Sequence, residues 1–441
     1  MKIITATTYE KELELTARSS SDQKEIDQTV LHILSEVRKN GDHALRNYTK
    51  QFDQVNLENL RVSAEEFAEA SQLVSEQFIT AMQAAKKNIL RFHQEQKEHS
   101  WFINPAEGIM LGQKVTPLGR AGIYIPGGKA AYPSTVFMNV LPAKIAGVPS
   151  IAITTPPGKD GKINPHVLVA AEMAGVEEVY KVGGVQAIAA LAYGTESIRK
   201  VDKIVGPGNA FVARAKKWVF GDVAIDMIAG PSEVCIIADK TCNPRFAAAD
   251  LLSQAEHDED AAAICITTDK NIAKQIQEEV LKQLGSLERM QIAEESLHRH
   301  GRIVLAANLD EAFQLVNLLA PEHLQIITAN PMEQIHSVQN AGAIFLGSYS
   351  PEVLGDYFAG PNHTLPTSGT AAFASPLGVY DFLKKSSIIQ YSQPALLAAA
   401  DHISTIADTE GLDAHSKAIM YRKEDALSEA NRFREKQQKQ K

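Results

Sequence analysis

The chain has 441 residues, 44% of them hydrophobic and 22% charged, with a formal net charge of −9 at pH 7. That length suggests two or three domains with ample cores, and the negative balance argues against nucleic acid or an acidic membrane surface as the main partner. Three cysteines (Cys235, Cys242, Cys265) are too few for a disulfide framework or a thiolate metal site, and no apolar run suits a secretion signal or a membrane span, so a reduced, soluble, cytoplasmic protein is expected.

Residues 1–23 read as a short polar lead. Ile26, Val30, Ile33, Leu34 and Val37 then repeat at helical spacing. Asn40-Gly41 is a stop signal, and Asp42 can cap a second helix. Ser63 and Glu66 form a capping-box pattern that opens one long helix to about Lys97. His93 and His99, set among Gln, Glu and Lys near its end, read as surface histidines. Two short strands follow around Gly112.

From Gly122 the pattern alternates. Strands at about 121–124, 151–155, 178–182 and 203–205 are each followed by a helix, over 136–146, 167–174, 186–192 and 209–219. Glycine turns lie at Gly127-Gly128, Gly183-Gly184 and Gly206–Gly208. Ser134-Thr135 can cap the first of these helices. A second run has strands at 234–238, 263–267, 303–306, 324–327 and 343–346, with helices over 244–255 and 271–284 and from about Leu309 and Met332. Such alternation predicts an α/β protein with parallel βαβ units. Ligands are expected at the carboxyl ends of the strands. From about Gly378 the chain reads as helical again, with a frayed polar end at 435–441.

Several stretches carry candidate chemistry. Gln254 and His257, three apart at a helix end, can project from one face toward a shared metal ion, or simply face solvent. Gly206-Pro-Gly-Asn-Ala-Phe211 follows a strand and opens a helix, but the third glycine of a dinucleotide fingerprint is missing. Asp226 lies about twenty residues on, where a ribose-binding acid is expected. The alternative is a tight turn that needs glycine for its backbone angles. Gly127-Gly128-Lys129 lacks the spacing of a phosphate-binding loop. Of thirteen histidines, His257, His323, His363 and His415 sit beside carboxylates near breaks between elements, where sites are built.

The segments DLLSQAEHDED (250–260), APEHL (320–324), GDYFAGPNHTLPT (355–367) and EGLDAH (410–415) occur with GIYIPGG (122–128), GGVQAIAALAYGT (183–195), KIVGPGNAFVARAK (203–216) and IDMIAGPSEV (225–234). Together they resemble the histidinol dehydrogenase family over about residues 25–425. Ile228, where a proline is often found, is the one soft departure.

The resemblance implies two incomplete Rossmann-like domains with helical extensions. These are an N-terminal extension (1–23), a first α/β domain (24–123 and 232–377), an inserted second α/β domain that binds NAD (124–231), and a helical tail (378–441). It also implies one zinc ion per subunit, held by Gln254, His257, Asp356 and His415. Glu322 and His323 would be the catalytic pair. Ser232, Gln254, His257, His323, Asp356, His363, Glu410 and His415 would hold the substrate, L-histidinol. Tyr124, Gln186 and Asn209 would line the dinucleotide site. The implied assembly is a homodimer whose tails complete the partners' active sites.

In that family L-histidinol is oxidised through L-histidinal to L-histidine with two NAD⁺. Loss of hydride from an alcohol requires a base on its oxygen, and imidazole titrates in the useful range, which suits His323. The second oxidation needs water added to the aldehyde, which suits Glu322. Neighbours on a strand point to opposite faces, so convergence of these two requires an irregular backbone after Pro321. A zinc hydrolase of a small amide or ester would use the same metal set, with Glu322 as water activator. A non-catalytic α/β binding protein would use neither.

Overall fold

The structure, a computed structural model, describes residues 1–17, 23–127, 131–438 and 440. It comprises two units, Met1–Lys97 with Pro117–Phe382, and Glu98–Thr116 with Leu383–Lys441.

The chain opens with strand β1 (Lys2–Thr5) and helix α1 (Ala6–Ala17), where the sequence reads as a polar lead. β1 pairs in parallel with residues 302–305 and becomes the edge of a sheet. Four residues carry too little alternation to declare a strand, so only the pairing reveals it. The remainder of that lead, 18–22, lies outside the described residues.

Helix α2 (Gln23–Phe52) covers both helices expected around Asn40-Gly41. Gly41, at φ 49° and ψ −132°, is non-helical, so the stop expected at Asn40-Gly41 is present as a kink between two helical stretches. Asp42 accepts a hydrogen bond from the backbone N–H of Ser197 at 3.2 Å, so it ties α2 to a distant turn.

The single helix expected over 63–97 is two, α3 (Ala64–Leu73) and α4 (Glu76–Gln94). The capping box at Ser63 and Glu66 is present. The break arises because the Ser75 hydroxyl takes the N–H of Phe78 at 3.2 Å, starting a new helix rather than continuing the old one. His93 is buried, not exposed. It continues the stripe Met82, Ala85, Ile89 on the inner face of α4, and its Nδ1 lies 2.8 Å from Oε1 of Gln96. Polar neighbours in sequence hid a residue whose helical neighbours are apolar. His99 is exposed, as expected.

Strands β2 (Trp101–Ala106) and β3 (Ile109–Pro117) form an antiparallel hairpin; only β3 is visible in the sequence, as two pieces. The alternating region follows almost as read: β4 (Arg120–Tyr124), α5 (Pro133–Ala146), β5 (Ser150–Thr155), α6 (Pro165–Met173), β6 (Val179–Lys181), α7 (Gly184–Tyr193), β7 (Lys203–Val205), α8 (Ala210–Val219) and β8 (Ala224–Ile225). The strands make a parallel sheet of order β6-β5-β4-β7-β8. Gly128 and Lys129 of the first glycine turn lie outside the described residues. Apolar side chains of α2 (Val30, Ile33, Leu34, Val37) pack with those of α7 and α8, and those of α4 pack with α5 and α6.

The second alternation gives β9 (Glu233–Ala238), α9 (Pro244–Ala255), β10 (Ala262–Thr267), α10 (Lys270–Leu284), α11 (Met290–Arg299), β11 (Arg302–Leu305), α12 (Leu309–Leu319), β12 (His323–Ile327), β13 (Ala343–Leu346) and the short α13 (Glu352–Tyr357). The helix expected from Met332 is a 3₁₀ segment, Pro331–Ser337. With β1, these strands form a six-stranded parallel sheet of order β1-β11-β10-β9-β12-β13. The fold is therefore α/β, with parallel sheets flanked by helices.

The tail is not wholly helical. It begins with β14 (Leu383–Tyr391), which joins the hairpin in a three-stranded sheet of order β14-β3-β2. Helices α14 (Gln393–Thr409) and α15 (Asp413–Gln438) follow, so the end read as frayed is helical to Gln438; Lys439 and Lys441 lie outside the described residues. Lys384, Lys385 and two serines interrupt the apolar pattern of β14, which is why its sequence does not announce a strand.

Candidate active site

The six-stranded sheet builds its site at an unexpected edge. Glu233 and His323 are the first residues of β9 and β12, at the point where the strand order reverses. The polar cluster thus lies at the amino ends of the strands, opposite to the edge expected for ligands. Parallel βαβ geometry explains this. A helix returning from the carboxyl edge delivers its own C-terminal end to the amino edge, and α9 ends there with Gln254 and then His257.

Glu322 and His323 are neighbours in sequence, yet both reach the same residue. Oε2 of Glu322 accepts the backbone N–H of Glu233 at 2.8 Å. Nδ1 of His323 lies 3.1 Å from the carbonyl oxygen of Glu233 and must donate to it, since a carbonyl oxygen only accepts. The irregular backbone expected at Pro321 is present just upstream: Ala320 has φ 48° and caps α12, and Glu322 precedes the first residue of β12. With Nδ1 committed, Nε2 of His323 is the atom left over. It is buried without a hydrogen-bond partner and stands 3.6 Å from Oδ1 of Asp356, too far for a direct bond.

Charge in this cluster is finely opposed. Burial pushes Glu322 up to about 8, and Glu233 and Glu352 up to about 7. Burial disfavours the His323 imidazolium, but the carboxylates of Glu322, Asp356 and Glu352 outweigh it and push the ring up to about 10. Burial also works against the Asp356 anion. The His323 ring beside it and the nearby His363 and His257 nevertheless hold it below the usual carboxylate range. Burial lowers His257 and His363, so both favour the neutral imidazole.

Gln254 is 1% exposed and its amide nitrogen has no partner. His257 follows the end of α9, with its N–H 3.2 Å from the Gln254 carbonyl oxygen. Of its acidic neighbours Asp258 and Asp260 are exposed, as the solvated-face reading has it, and Asp260 pairs with Arg299 at 3.2 Å. His363 donates from Nδ1 to the Asp356 carbonyl oxygen at 2.9 Å, which leaves Nε2 to accept from the Thr135 hydroxyl at 3.2 Å. Ser232 immediately precedes β9. Glu410 and His415 belong to the second unit, as the C-cap of α14 and in the first turn of α15. They are not among the groups that the first unit gathers.

Three participants escaped the sequence reading. Glu233 lies inside the IDMIAGPSEV segment and Glu352 opens α13, and in each the unpartnered carboxylate oxygen is buried. Thr135 looked like a helix cap, but the cap of α5 is Tyr132, without a side-chain bond. Only the path of the 355–367 loop across α5 gives Thr135 its partner.

In the five-stranded sheet the residues expected to line a dinucleotide site lie at the carboxyl edge. Tyr124 ends β4, Gln186 lies in the first turn of α7 after β6, and Asn209 caps α8 after β7. The strand order reverses between β4 and β7, where a ligand crevice is expected. The Tyr124 hydroxyl accepts the N–H of Gly184 at 3.1 Å. Burial, with a smaller contribution from Asp53, pushes Tyr124 up to about 12. Gln186 is buried and its carbonyl oxygen has no partner. Asp226 does not wait for a ribose. One oxygen takes the N–H of Gly206 at 2.8 Å, and the other pairs with Lys216 and takes the N–H of Met227.

A parallel sheet with glycine turns at its switch point and a second with a buried histidine–carboxylate centre are the frame of a two-sheet α/β enzyme. The histidinol dehydrogenase family model matches residues 16–423. A histidinol dehydrogenase of Oceanobacillus iheyensis is 57% identical, over 94% of this chain and 97% of its own length. One from Listeria monocytogenes is 54% identical, over 96% of this chain and all of its own. The crystal structure of histidinol dehydrogenase from Elizabethkingia anophelis matches with a TM-score of 0.88 at 42% identity, covering 91% of this chain and 92% of that one. The chain belongs to the histidinol dehydrogenase family, oxidoreductases of histidine biosynthesis. The hydrolase and binding-protein readings are set aside by that membership.

Proposed function

We propose that the protein oxidises L-histidinol through L-histidinal to L-histidine, reducing two NAD⁺. The observation that carries this reading is the shared grip of Glu322 and His323 on Glu233, which leaves Nε2 of His323 free of partners and buried among carboxylates. In the first oxidation Nε2 takes the hydroxyl proton as the carbinol carbon loses hydride. Water then adds to the aldehyde, with Glu322 removing its proton, and the hydrate loses its own proton and hydride to give the acid. The carboxylate field that raises His323 must be partly neutralised for Nε2 to act as a base near neutrality, and Asp356 is the carboxylate closest to it.

Among the described residues no three His, Cys, Asp or Glu side chains are already gathered for a metal ion. The donor chemistry nonetheless fits zinc. His257 favours its neutral form, Asp356 its anion, and Gln254 offers the oxygen of a buried side-chain amide. Gln254, His257, Asp356 and His415 would hold the ion, which would anchor and orient the substrate's imidazole and amine. Ser232, His323, His363 and Glu410 would line the rest of the substrate's surroundings. NAD⁺ would accept the hydride, bound within the segment 124–231 at Tyr124, Gln186 and Asn209. The buried carbonyl oxygen of Gln186 and the close-packed glycine turns suit it. At Gly183 an added Cβ would fall 2.5 Å from Pro156.

A homodimer, the assembly the family resemblance implies, is supported by the exposed apolar side chains of β2. Trp101, Phe102 and Ile103 are consecutive, so they face both sides of the strand, yet each is about half exposed. Among the described residues no helix is long and apolar enough to cross a membrane, and three free buried thiols suit a reducing cytoplasm. Mixing the protein with L-histidinol and NAD⁺ tests the reading: two reduced nicotinamides should form per histidinol consumed. One per histidinol, or none, refutes it.

A further inference from the structure

Lys216 and Asp226 form an ion pair whose side chains are 2% and 1% exposed, beneath the turn that follows β7. Their common target is Gly206. Asp226 accepts its N–H at 2.8 Å, and Nζ of Lys216 donates to its carbonyl oxygen at 2.9 Å. Both peptide groups flanking one α-carbon are therefore held by a single buried pair. Gly206 itself has φ 115°, and a Cβ there would lie 2.1 Å from the Tyr124 carbonyl oxygen. The pair thus presses the β7 turn against the end of β4, across the point where the strand order reverses. Lys216 lies on α8, the helix that this turn opens and Asn209 caps. Asp226 also takes the N–H of Met227 at 2.6 Å, which anchors the chain leading to β9.

We propose that Lys216 and Asp226 are positioning residues of the dinucleotide site. They touch no cofactor; they hold Gly206 so that Tyr124 and Asn209 stand at a fixed separation before any ligand arrives. This rests on the NAD⁺ reading of that crevice. Preorganisation of this kind lowers the ordering cost of binding, and a pair this buried is replaced most safely as a pair, since removing one partner strands the other's charge.

The test uses Lys216→Met and the double variant Lys216→Met/Asp226→Asn, with dinucleotide and histidinol binding each measured by calorimetry on zinc-loaded protein. NAD⁺ binding should weaken tenfold or more in both, while histidinol binding and zinc content stay within twofold of wild type. In turnover, KM for NAD⁺ should rise far more than kcat falls. Unchanged NAD⁺ affinity, or equal loss of both ligands, overturns the proposal. Should neither variant fold, amide exchange on the wild-type protein decides: the Gly206 amide should be protected before NAD⁺ is added. Free exchange there, becoming slow only with NAD⁺, also overturns it. Wild-type protein that binds no NAD⁺ at all would instead sink the dinucleotide reading, and the exchange result would still judge the clamp.

Discussion

His323 donates through Nδ1 to the carbonyl oxygen of Glu233 at 3.1 Å. That bond selects Nε2 as the reactive nitrogen, and it can be kept while the base is removed. In His323→Asn the amide nitrogen stands near the position of Nδ1 and nothing replaces Nε2. Turnover should fall by roughly 10²- to 10⁴-fold, the usual worth of a positioned base. NAD⁺ affinity should stay close to wild type. A loss smaller than about fivefold on that same scale would remove His323 from the proton-transfer role.

Glu322→Gln keeps an oxygen for the Glu233 N–H but cannot take a proton from water. When histidinal is supplied directly, its conversion to histidine should drop by roughly 10²-fold or more. Oxidation of histidinol to the aldehyde should suffer much less. Equal losses in the two half-reactions would contradict a role in water activation.

His257 follows the end of α9 and favours the neutral, metal-binding imidazole. His257→Asn should reduce bound zinc, measured by atomic absorption, and abolish turnover, while NAD⁺ titration remains near wild type. Parallel loss of zinc and NAD⁺ binding would argue against separate metal and dinucleotide subsites.

Stability without metal should fall as pH rises. Burial holds Glu233 and Glu352 near 7 and Glu322 near 8, whereas an unfolded glutamate releases its proton near ~4.3. Between those values the folded chain binds more protons than the unfolded one. The contribution is thus complete below the unfolded pKa and is lost as pH climbs through the folded pKa. His323, raised to about 10 by its carboxylate neighbours against the effect of burial, acts in the same direction above its unfolded value of about 6.5. Metal-free protein should therefore melt at a lower temperature at about pH 8.5 than at about pH 5.5, and Glu233→Gln should flatten the slope. A melting temperature that is level or rises over that range would be the wrong sign.

His415 and Glu410 lie in the second unit. Mixing an inactive His415→Asn protein with an inactive His323→Asn protein, under conditions that exchange subunits, should restore part of the activity if the tail completes a partner's site. No restoration in confirmed heterodimers would place each site within one chain.

The sequence by itself determined the alternation. From β4 to β13 nearly every strand was legible, because buried parallel strands are continuous apolar runs bounded by glycine turns. It also announced Gln254, His257, Glu322, His323, Asp356 and His363 as a set, though through their resemblance to a family more than through spacing. Tertiary structure decided the rest. His93 and Thr135 looked like a surface residue and a cap; their partners, Gln96 and His363, depend on packing that no local pattern records. Asp226 sat at the right spacing for a ribose, but a buried lysine from the preceding helix had already claimed it. β1 and β14 are edge strands whose apolar pattern is weak, and β2 is an apolar run without alternation, so only pairing defines them. The position of the buried polar cluster at the amino ends of the six-stranded sheet follows from where α9 and β12 meet. That meeting is a property of the assembled sheet, since strand order is set by long-range pairing and not by the residues of any one strand.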